Sequence, residues 1–367
     1  MITKTIKSMK TKRFFISVIA FVFTMGAWAQ NNDVATAILQ SGENTTVFTG
    51  VNALVQAVEA AADGDVITLS AGQFYETDIT KSVSVIGAGY EADATTGTGV
   101  TSIIKNGYYC LSIGKADETL QNVHLEGLRV EGTLYLAAGR GGYDQKNPVQ
   151  GINITKCYVA GHIQAKNSIT DVAISQCVIT GSVTGGKDYL ATNLTVTNCH
   201  INDNVHTFAA GSRVLVDHCI LMGGFYHGNN GSTEPLNNSA FTWTNCIFGM
   251  KASEYSYVVG IGATVQNCLC SSLRYGLSGV AGIHENNYEE DYLQMVVSFG
   301  DYADARYVEG RTFELLNPTR FPGTDDGQIG LLGGEGFSRV PSTPVVKNLM
   351  PTVEGSILKI SYEAEVR

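Results

Sequence analysis

The sequence predicts an all-β solenoid, because one short apolar pattern recurs about every 22 residues. Six cysteines mark successive copies of this pattern: Cys157, Cys177, Cys199, Cys219, Cys246 and Cys268. Around each cysteine, apolar residues stand two apart, as in Ile152-x-Ile154-x-x-Cys157-x-Val159. A degenerate earlier copy has Leu128 at the cysteine position. A repeat of this length cannot bury its apolar face alone and must stack on its neighbours.

The spacing within each copy indicates strands rather than helices. Apolar residues two apart give a strand with one buried face, whereas a helix would need spacings of three and four. The three-residue step before the cysteine predicts a corner between two strands. Asn198, Asn245 and Asn267 stand at this step, and asparagine tolerates the left-handed backbone that a tight corner needs.

Strand, corner, strand and a third short apolar stretch per repeat resemble the right-handed parallel β-helix of the pectate lyase-like superfamily. The passage 52–89 resembles the opening turn of exported β-helix proteins of Gram-negative bacteria. It contains an alanine-rich helix, the sequence Asp63-Gly64-Asp65 and a Ser-Val-Ser-Val strand before Gly87. The resemblance implies a parallel β-helix over residues 46–340 with an N-terminal capping helix. It is specific for the fold and weak for an activity.

Composition and charge exclude two classes of protein. The net charge of −10 leaves no basic stripe to neutralise phosphates, which argues against a nucleic-acid partner. The hydrophobic content of 44% is too high for a disordered chain. Glycine is abundant at 41 residues and proline scarce at 7, as many short strands and tight corners require.

The first 29 residues are expected to be a signal peptide, with a basic start, an apolar stretch over 14–24 and the small-x-small sequence Ala27-Trp28-Ala29. This predicts export, to the periplasm, the cell surface or the medium. Residues 30–45 are polar and are expected to form a flexible lead. No later stretch is long and apolar enough for a membrane span.

The repeated cysteines are expected to be free and buried. Residues at one position of stacked strands lie about 4.8 Å apart with parallel Cβ vectors. A disulfide needs Cβ atoms nearer about 3.8 Å and converging vectors. The long spacing also differs from the close cysteine pairs of zinc sites, so we expect neither a metal nor a cofactor.

The ends of the solenoid are expected to be covered. Val51, Leu54, Val55 and Val58 predict a helix over the N-terminal end, where strand edges would otherwise face water. After Cys270 the repeat degrades, and residues 325–334 are interpreted as closing turns. Alternating apolar residues over 358–366 predict that the segment 341–367 is a C-terminal strand that forms part of a cap.

The third stretch of each repeat predicts a polar outer face suited to a saccharide. Its middle residue is expected inside and its two neighbours outside. One outer ladder would contain Tyr135, Gln164, Thr184, His206, Tyr226, Ser253 and Tyr275, and the other Thr133, His162, Ser182, Asn204 and Lys251. The predicted binding residues are Tyr135, His162, Gln164, His206, Tyr226 and Lys251, and the predicted partner is a polysaccharide or a cell-surface glycan. An ordinary solvated β-surface is the alternative.

Loops of unequal length beside this face supply the catalytic candidates Asp144, Lys187 and Asp188. A polysaccharide lyase would need a basic residue as proton acceptor and groups that neutralise a uronate, and a glycoside hydrolase would need two carboxylates about 5 to 9 Å apart. Neither pattern is evident in the sequence. A carbohydrate-contacting protein is therefore favoured over an enzyme, and a purely structural or adhesive module stays open.

Overall fold

A computed structural model describes residues 35–93, 99–104, 111–139, 142, 144–223, 225–226, 241–249, 256–257, 262–276, 282–296, 307, 313–325, 327–342, 345–354 and 357–365. The predicted signal peptide lies outside these residues, as does Lys251. For Tyr226 the structure gives the backbone only.

Three long sheets form the body of the described fold. Sheet 1 contains β1 (Thr36–Ser41), β2 (Asn44–Thr49), β3 (Val66–Leu69), β6 (Ser84–Ile86), β9 (Leu120–Gln121), β10 (His124–Glu126), β13 (Val149–Thr155), β16 (Ile169–Ser175), β19 (Ala191–Thr197), β22 (Val214–Asp217), β25 (Phe241–Thr244), β28 (Thr264–Gln266) and β30 (Ile283–Glu285). Sheet 2 contains β4 (Gly72–Tyr75), β7 (Thr101–Ile104), β11 (Arg129–Val130), β14 (Tyr158–Val159), β17 (Val178–Ile179), β20 (His200–Ile201), β23 (Ile220–Leu221), β26 (Ile247–Phe248), β29 (Leu269–Cys270) and β31 (Tyr288–Glu289). Sheet 3 contains β5 (Thr77–Ile79), β8 (Leu111–Ile113), β12 (Leu134–Leu136), β15 (Ile163–Ala165), β18 (Val183–Thr184) and β21 (Val205–His206).

The order of the strands along the chain shows how the sheets are connected. From β13 to β21, consecutive strands go to sheet 1, sheet 2, sheet 3 and back to sheet 1, and each pairs in parallel with its counterpart in the next round. We call one such round a rung. The predicted all-β class with long parallel sheets is confirmed, and the topology is consistent with a parallel β-helix.

The corner between sheets 1 and 2 has the geometry that the repeat predicts. The residue before each repeated cysteine, or before its counterpart, has a positive φ between 49° and 67°. These corner residues are Gly127, Lys156, Gln176, Asn198, His218, Asn245, Asn267 and Asn286. Four of the eight are asparagines and one is glycine, the residue types that adopt this backbone most readily.

The cysteine ladder lies in the interior. The seven described cysteines, including Cys270, are buried and free of disulfides. Within the ladder, the backbone N–H of Cys177 donates to the Sγ of Cys199 at 3.4 Å, and that thiol in turn donates to the carbonyl of Thr197 at 3.2 Å. Burial raises the pKa of the Cys199 thiol well above its usual range, so these cysteines act as small apolar residues that also accept a hydrogen bond.

The ladder continues one rung beyond the last predicted repeat. Asn287 occupies the cysteine position there: its Oδ1 accepts the N–H of Cys268 at 2.9 Å, and its Nδ2 donates to the carbonyl of Val265 at 3.0 Å. The repeat therefore ends at β30 and β31 rather than at Cys270.

The N-terminal region differs from the expected flexible lead over 30–45. Residues 36–49 form an antiparallel hairpin, and β1 also pairs with β3 in sheet 1. The helix α1 (Ala53–Ala60) follows, and its apolar face, with Leu54 and Val58, joins the interior core of the sheets. A second helix, α2 (Leu273–Gly276), is a single turn.

The described residues of the segment after β31 (292–296, 307, 313–325 and 327–342), which we call the return segment, pack along the outside of the rungs. Its apolar residues form a second core with the outward side chains of sheet 2; the buried members from both sides are Ile220, Met222, Ile247, Leu269, Met295, Val296, Phe313, Leu315, Phe321, Ile329 and Leu331. The closing turns predicted at 325–334 are therefore wrong. The described residues among them run along the outside of sheet 2, because they cover its apolar outer face.

Two further antiparallel pairs complete the described strands. β24 (Phe225–Tyr226) pairs with β27 (Ser256–Tyr257), and β32 (Val345–Glu354) pairs with β33 (Ile357–Glu365). The predicted C-terminal strand thus has a hairpin partner, and its role in a cap stays a prediction. A short 3-10 turn at Tyr292–Gln294 and another at Pro318–Arg320 lie in the return segment.

Candidate functional site

The outward positions of sheet 3 form a column of side chains in register. The central residues of successive strands are Asp78, Ser112, Tyr135, Gln164, Thr184 and His206. Their strand neighbours, such as Leu134 and Leu136, point into the core, so alternation fixes the outward direction. We call this set the sheet 3 column. Four of its members were predicted from sequence, and Asp78 and Ser112 were missed because their strands lack the cysteine motif.

Tyr226 does not continue this column. Its strand pairs antiparallel with Ser256–Tyr257, whereas the column requires parallel pairing with β21. The prediction assumed that the third stretch of every repeat enters the same sheet. In the described residues sheet 3 ends at β21, while sheets 1 and 2 continue for several more rungs.

The second predicted ladder is less exposed than expected. Ser182 and Asn204 are 1% exposed, so the expectation that they face solvent is wrong. Both side chains bond within the fold: the Oγ of Ser182 donates to Asp203, and the Nδ2 of Asn204 donates to the carbonyl of Gly223. His162 is exposed, and its Nδ1 accepts the backbone N–H of Ser182 at 3.0 Å.

Asp203 links these residues and was not predicted as part of the site. The corresponding corner position holds Gly132, Gly161, Gly181 and Gly223 in other rungs. The Asp203 carboxylate accepts the Ser182 hydroxyl at 2.5 Å, and a Cβ on Gly223 would lie 2.3 Å from Asp203 Oδ1. In the sequence, Asp203 stands out as a carboxylate at a position that holds glycine in the neighbouring repeats. In the structure, hydrogen bonds connect Asp203, Ser182 and His162, which come from three successive rungs.

His206 interacts electrostatically with Asp203 and His162. Burial lowers the pKa of His206, the nearby Asp203 carboxylate opposes that effect, and His162 adds to it. Its Nδ1 lies 2.5 Å from the Oγ1 of Thr207. The imidazole is therefore held mainly neutral near pH 7, in which state one ring nitrogen donates a hydrogen bond and the other accepts one.

Tyr135 is half-buried under its neighbours. The Nζ of Lys166 lies 5.3 Å from the centre of the ring, and a Cβ on Gly142 would lie 2.6 Å from its edge. The loop that carries Gly142 is held by an antiparallel bridge between Ala138 and Gln145. Part of the ring is thus occupied by the protein itself, so Tyr135 offers less stacking area than the sequence suggested.

The structure does not bring the three catalytic candidates into contact. Asp144 pairs with Lys146 at 2.5 Å. Lys187 and Asp188 are exposed at a turn closed by a hydrogen bond from the N–H of Tyr189 to Gly186 at 3.0 Å. Among the described residues, no ion pair or hydrogen bond joins Asp144 to Lys187 or Asp188, and their catalytic role stays a prediction.

The described part of the chain holds no group of three or more His, Cys, Asp or Glu side chains that could ligate a metal ion. No described helix is long and apolar enough to cross a membrane. A polar cleft of about 520 Å³ opens beside sheet 1, between Asp63–Asp65 and Thr119–Asn122. Its carboxylates Asp63 and Asp65 already accept backbone N–H groups.

No protein-family model, curated protein or solved structure matches this chain. The site therefore has to be judged from its own chemistry.

Proposed function

We propose that the chain is an exported right-handed parallel β-helix of the pectate lyase-like type, capped at its N-terminal end by α1. Its sheet 3 column contacts a polysaccharide or a cell-surface glycan. The basic, apolar and small-x-small segments of residues 1–29 support export. The rung topology and the apolar face of α1 support the fold and the cap.

The observation that carries the binding proposal is the in-register column on sheet 3. Tyr135, Gln164 and His206 keep partial exposure on a flat surface and supply a ring, an amide and an imidazole. Saccharide hydroxyls need paired donors and acceptors, and aromatic rings suit the C–H faces of sugars. Rungs about 4.8 Å apart repeat these groups along one line, which suits an extended polymer.

A glycan panel with matched variants tests this proposal. Gln164→Ala should weaken binding of any glycan found by about 1 to 3 kcal/mol, the usual contribution of a central contact. Gln150→Ala is the control, because Gln150 is an exposed glutamine on sheet 1, away from the column. Equal affinity of the two variants would contradict the site. A panel with no binder would favour a structural or adhesive module.

A polysaccharide lyase or glycoside hydrolase is the second candidate. The grouping of Asp203, His162 and His206 favours the lyase, since a hydrolase would need a second carboxylate. A neutral imidazole beside a carboxylate can transfer protons near neutral pH. New double-bond absorbance would indicate a lyase, and new reducing ends without it a hydrolase. If the group is catalytic, Asp203→Asn should lower turnover more than binding. Binding without either product would exclude the enzyme.

Cleavage of the signal peptide is tested separately. N-terminal sequencing of the exported protein should start at Gln30, directly after Ala29. A mature chain that retains the basic segment would contradict export by this route.

A further inference from the structure

The return segment is held to the solenoid along the corner between sheets 1 and 2. It crosses the rungs in reverse order and meets the left-handed corner residue of one rung after another. The contacts, from the last rung toward the first, are Asn267 to Pro322, Asn245 to Thr324, Asn198 to Leu331 and Gly333, Gln176 to Ser338, and Lys156 to Ser342. Most of these corners use an uncharged amide side chain.

One corner between these has a histidine instead. His218 lies between the Asn198 and Asn245 rungs, is 3% exposed and lies under Gly333 and Gly334. Its Nδ1 is 2.9 Å from Asp217 Oδ2. Because a carboxylate only accepts, Nδ1 must carry a proton, and in the neutral ring Nε2 is then a bare acceptor. Nε2 is buried and has no hydrogen-bond partner among the described residues.

The group that faces Nε2 belongs to the return segment. Asp325 Oδ1 lies 3.9 Å away. A short loop presents Asp325: Gly323 donates its N–H to the carbonyl of Gly327 at 2.7 Å, and Pro322 bridges to Gln328. Thr324 in the same loop bonds to Asn245 through its N–H and its Oγ1. The charged groups shown to face the ring are thus Asp217 at the end of β22 and Asp325 from the return segment.

We propose that His218 is a pH-sensitive latch that fastens the return segment to the solenoid. A second proton converts Nε2 from an unsatisfied acceptor into a donor toward Asp325, and the imidazolium then lies between two carboxylates. The latch is closed in acid and opens as the pH rises. Neighbouring corners with asparagine hold the segment at every pH, so opening is local to the loop around Asp325.

His218 occupies the same kind of left-handed corner as the asparagines of the neighbouring rungs. His218 has φ of 50°, the same left-handed backbone as Asn198 and Asn245. Asparagine tolerates this conformation well. Replacing His218 by Asn therefore changes the chemistry of the latch while the backbone stays acceptable.

Amide hydrogen exchange of the full chain tests the latch. Exchange over residues 322–334, corrected for the intrinsic effect of pH, should speed up by about tenfold between pH 5 and pH 8, the factor that corresponds to one charge-assisted hydrogen bond. His218→Asn and Asp325→Asn should each remove this pH dependence. The β19 strand, residues 191–197, is the internal control and should show none.

Two results would overturn the proposal. One is exchange of residues 322–334 in the wild-type chain that does not depend on pH. The other is an unchanged pH dependence in Asp325→Asn, whose side chain is 45% exposed and therefore tolerates the change. The second variant keeps the test decisive if His218→Asn fails to fold.

Discussion

Sheets 2 and 3 belong to the same rungs, yet the return segment covers the outer face of sheet 2, whereas the outer face of sheet 3 stays partly exposed. On sheet 2 the outward positions include Ile220, Ile247 and Leu269, all fully buried beneath the return segment. On sheet 3 the outward positions include Gln164 and His206, which keep contact with solvent. The covered face of sheet 2 is mainly apolar at these positions, whereas the partly exposed face of sheet 3 is polar.

The physical reason is the difference in burial free energy. Covering apolar side chains gains about 25 cal/mol per Å² of apolar surface. Covering an amide or imidazole gains little, and it costs free energy wherever a partner is missing. The return segment accordingly places Phe313, Phe321 and Leu331 on sheet 2.

The largest expected effect is on the covered face. Ile247→Ala should lower the free energy of unfolding by about 2 to 4 kcal/mol, because it leaves a cavity between sheet 2 and the return segment. Chemical denaturation measures it. Ile283→Ala is the matched control, since Ile283 is 55% exposed and should change stability by less than about 0.5 kcal/mol. Equal effects would mean that the second core contributes nothing.

A smaller effect is expected where the return segment meets the corners. Asn198→Gly removes the amide that donates to the carbonyls of Leu331 and Gly333 at 3.0 and 2.7 Å. Glycine accepts the left-handed backbone, so a loss of about 1 to 2 kcal/mol in the free energy of unfolding beyond that of the control reports mainly these hydrogen bonds. Asn193→Gly is a control with φ of 56° away from the segment. If Asn198→Gly left the free energy of unfolding unchanged, the return segment would be held by apolar packing only.

The end of the return segment should be sensitive to strong acid. Burial would raise the pKa of Glu126, but hydrogen bonds from His124 and Ser342 and the nearby Lys156 outweigh it and lower that pKa to about 2. Its stabilisation is present above the ordinary pKa of 4.5 and is lost as the pH falls toward 2. Unfolding midpoints between pH 5 and pH 2 should fall less in Glu126→Gln than in the wild type.

The smallest effect on stability is expected at sheet 3. The pKa of His206 is lowered by burial, so the neutral ring stabilises the fold above the unfolded pKa of 6.5, and this is lost as the pH falls. NMR titration of the imidazole should give a pKa below 6.5. His206→Gln should reduce the fall in stability between about pH 7 and pH 5. A normal pKa would mean that the column is more open to water than its burial implies.

Local sequence patterns were sufficient to predict the rungs but not which outward side chains are buried. Alternation identified the strands, and Asn198, Asn245 and Asn267 identified the corners, because both depend on neighbours a few residues away. Asn287 was missed since an amide reproduces the hydrogen bonds of a cysteine without resembling it. Ser182 and Asn204 were expected outside, but Asp203 and Gly223 in adjacent rungs supply partners that let both be buried.

The sequence by itself determined the stacked parallel strands, the left-handed corners and the free, buried cysteines, because each follows from a repeat that carries its own burial pattern. Only the tertiary structure decided that the return segment lies along sheet 2 and that His218 meets Asp325. These contacts join positions about a hundred residues apart with no shared periodicity, so only the packed fold brings them together.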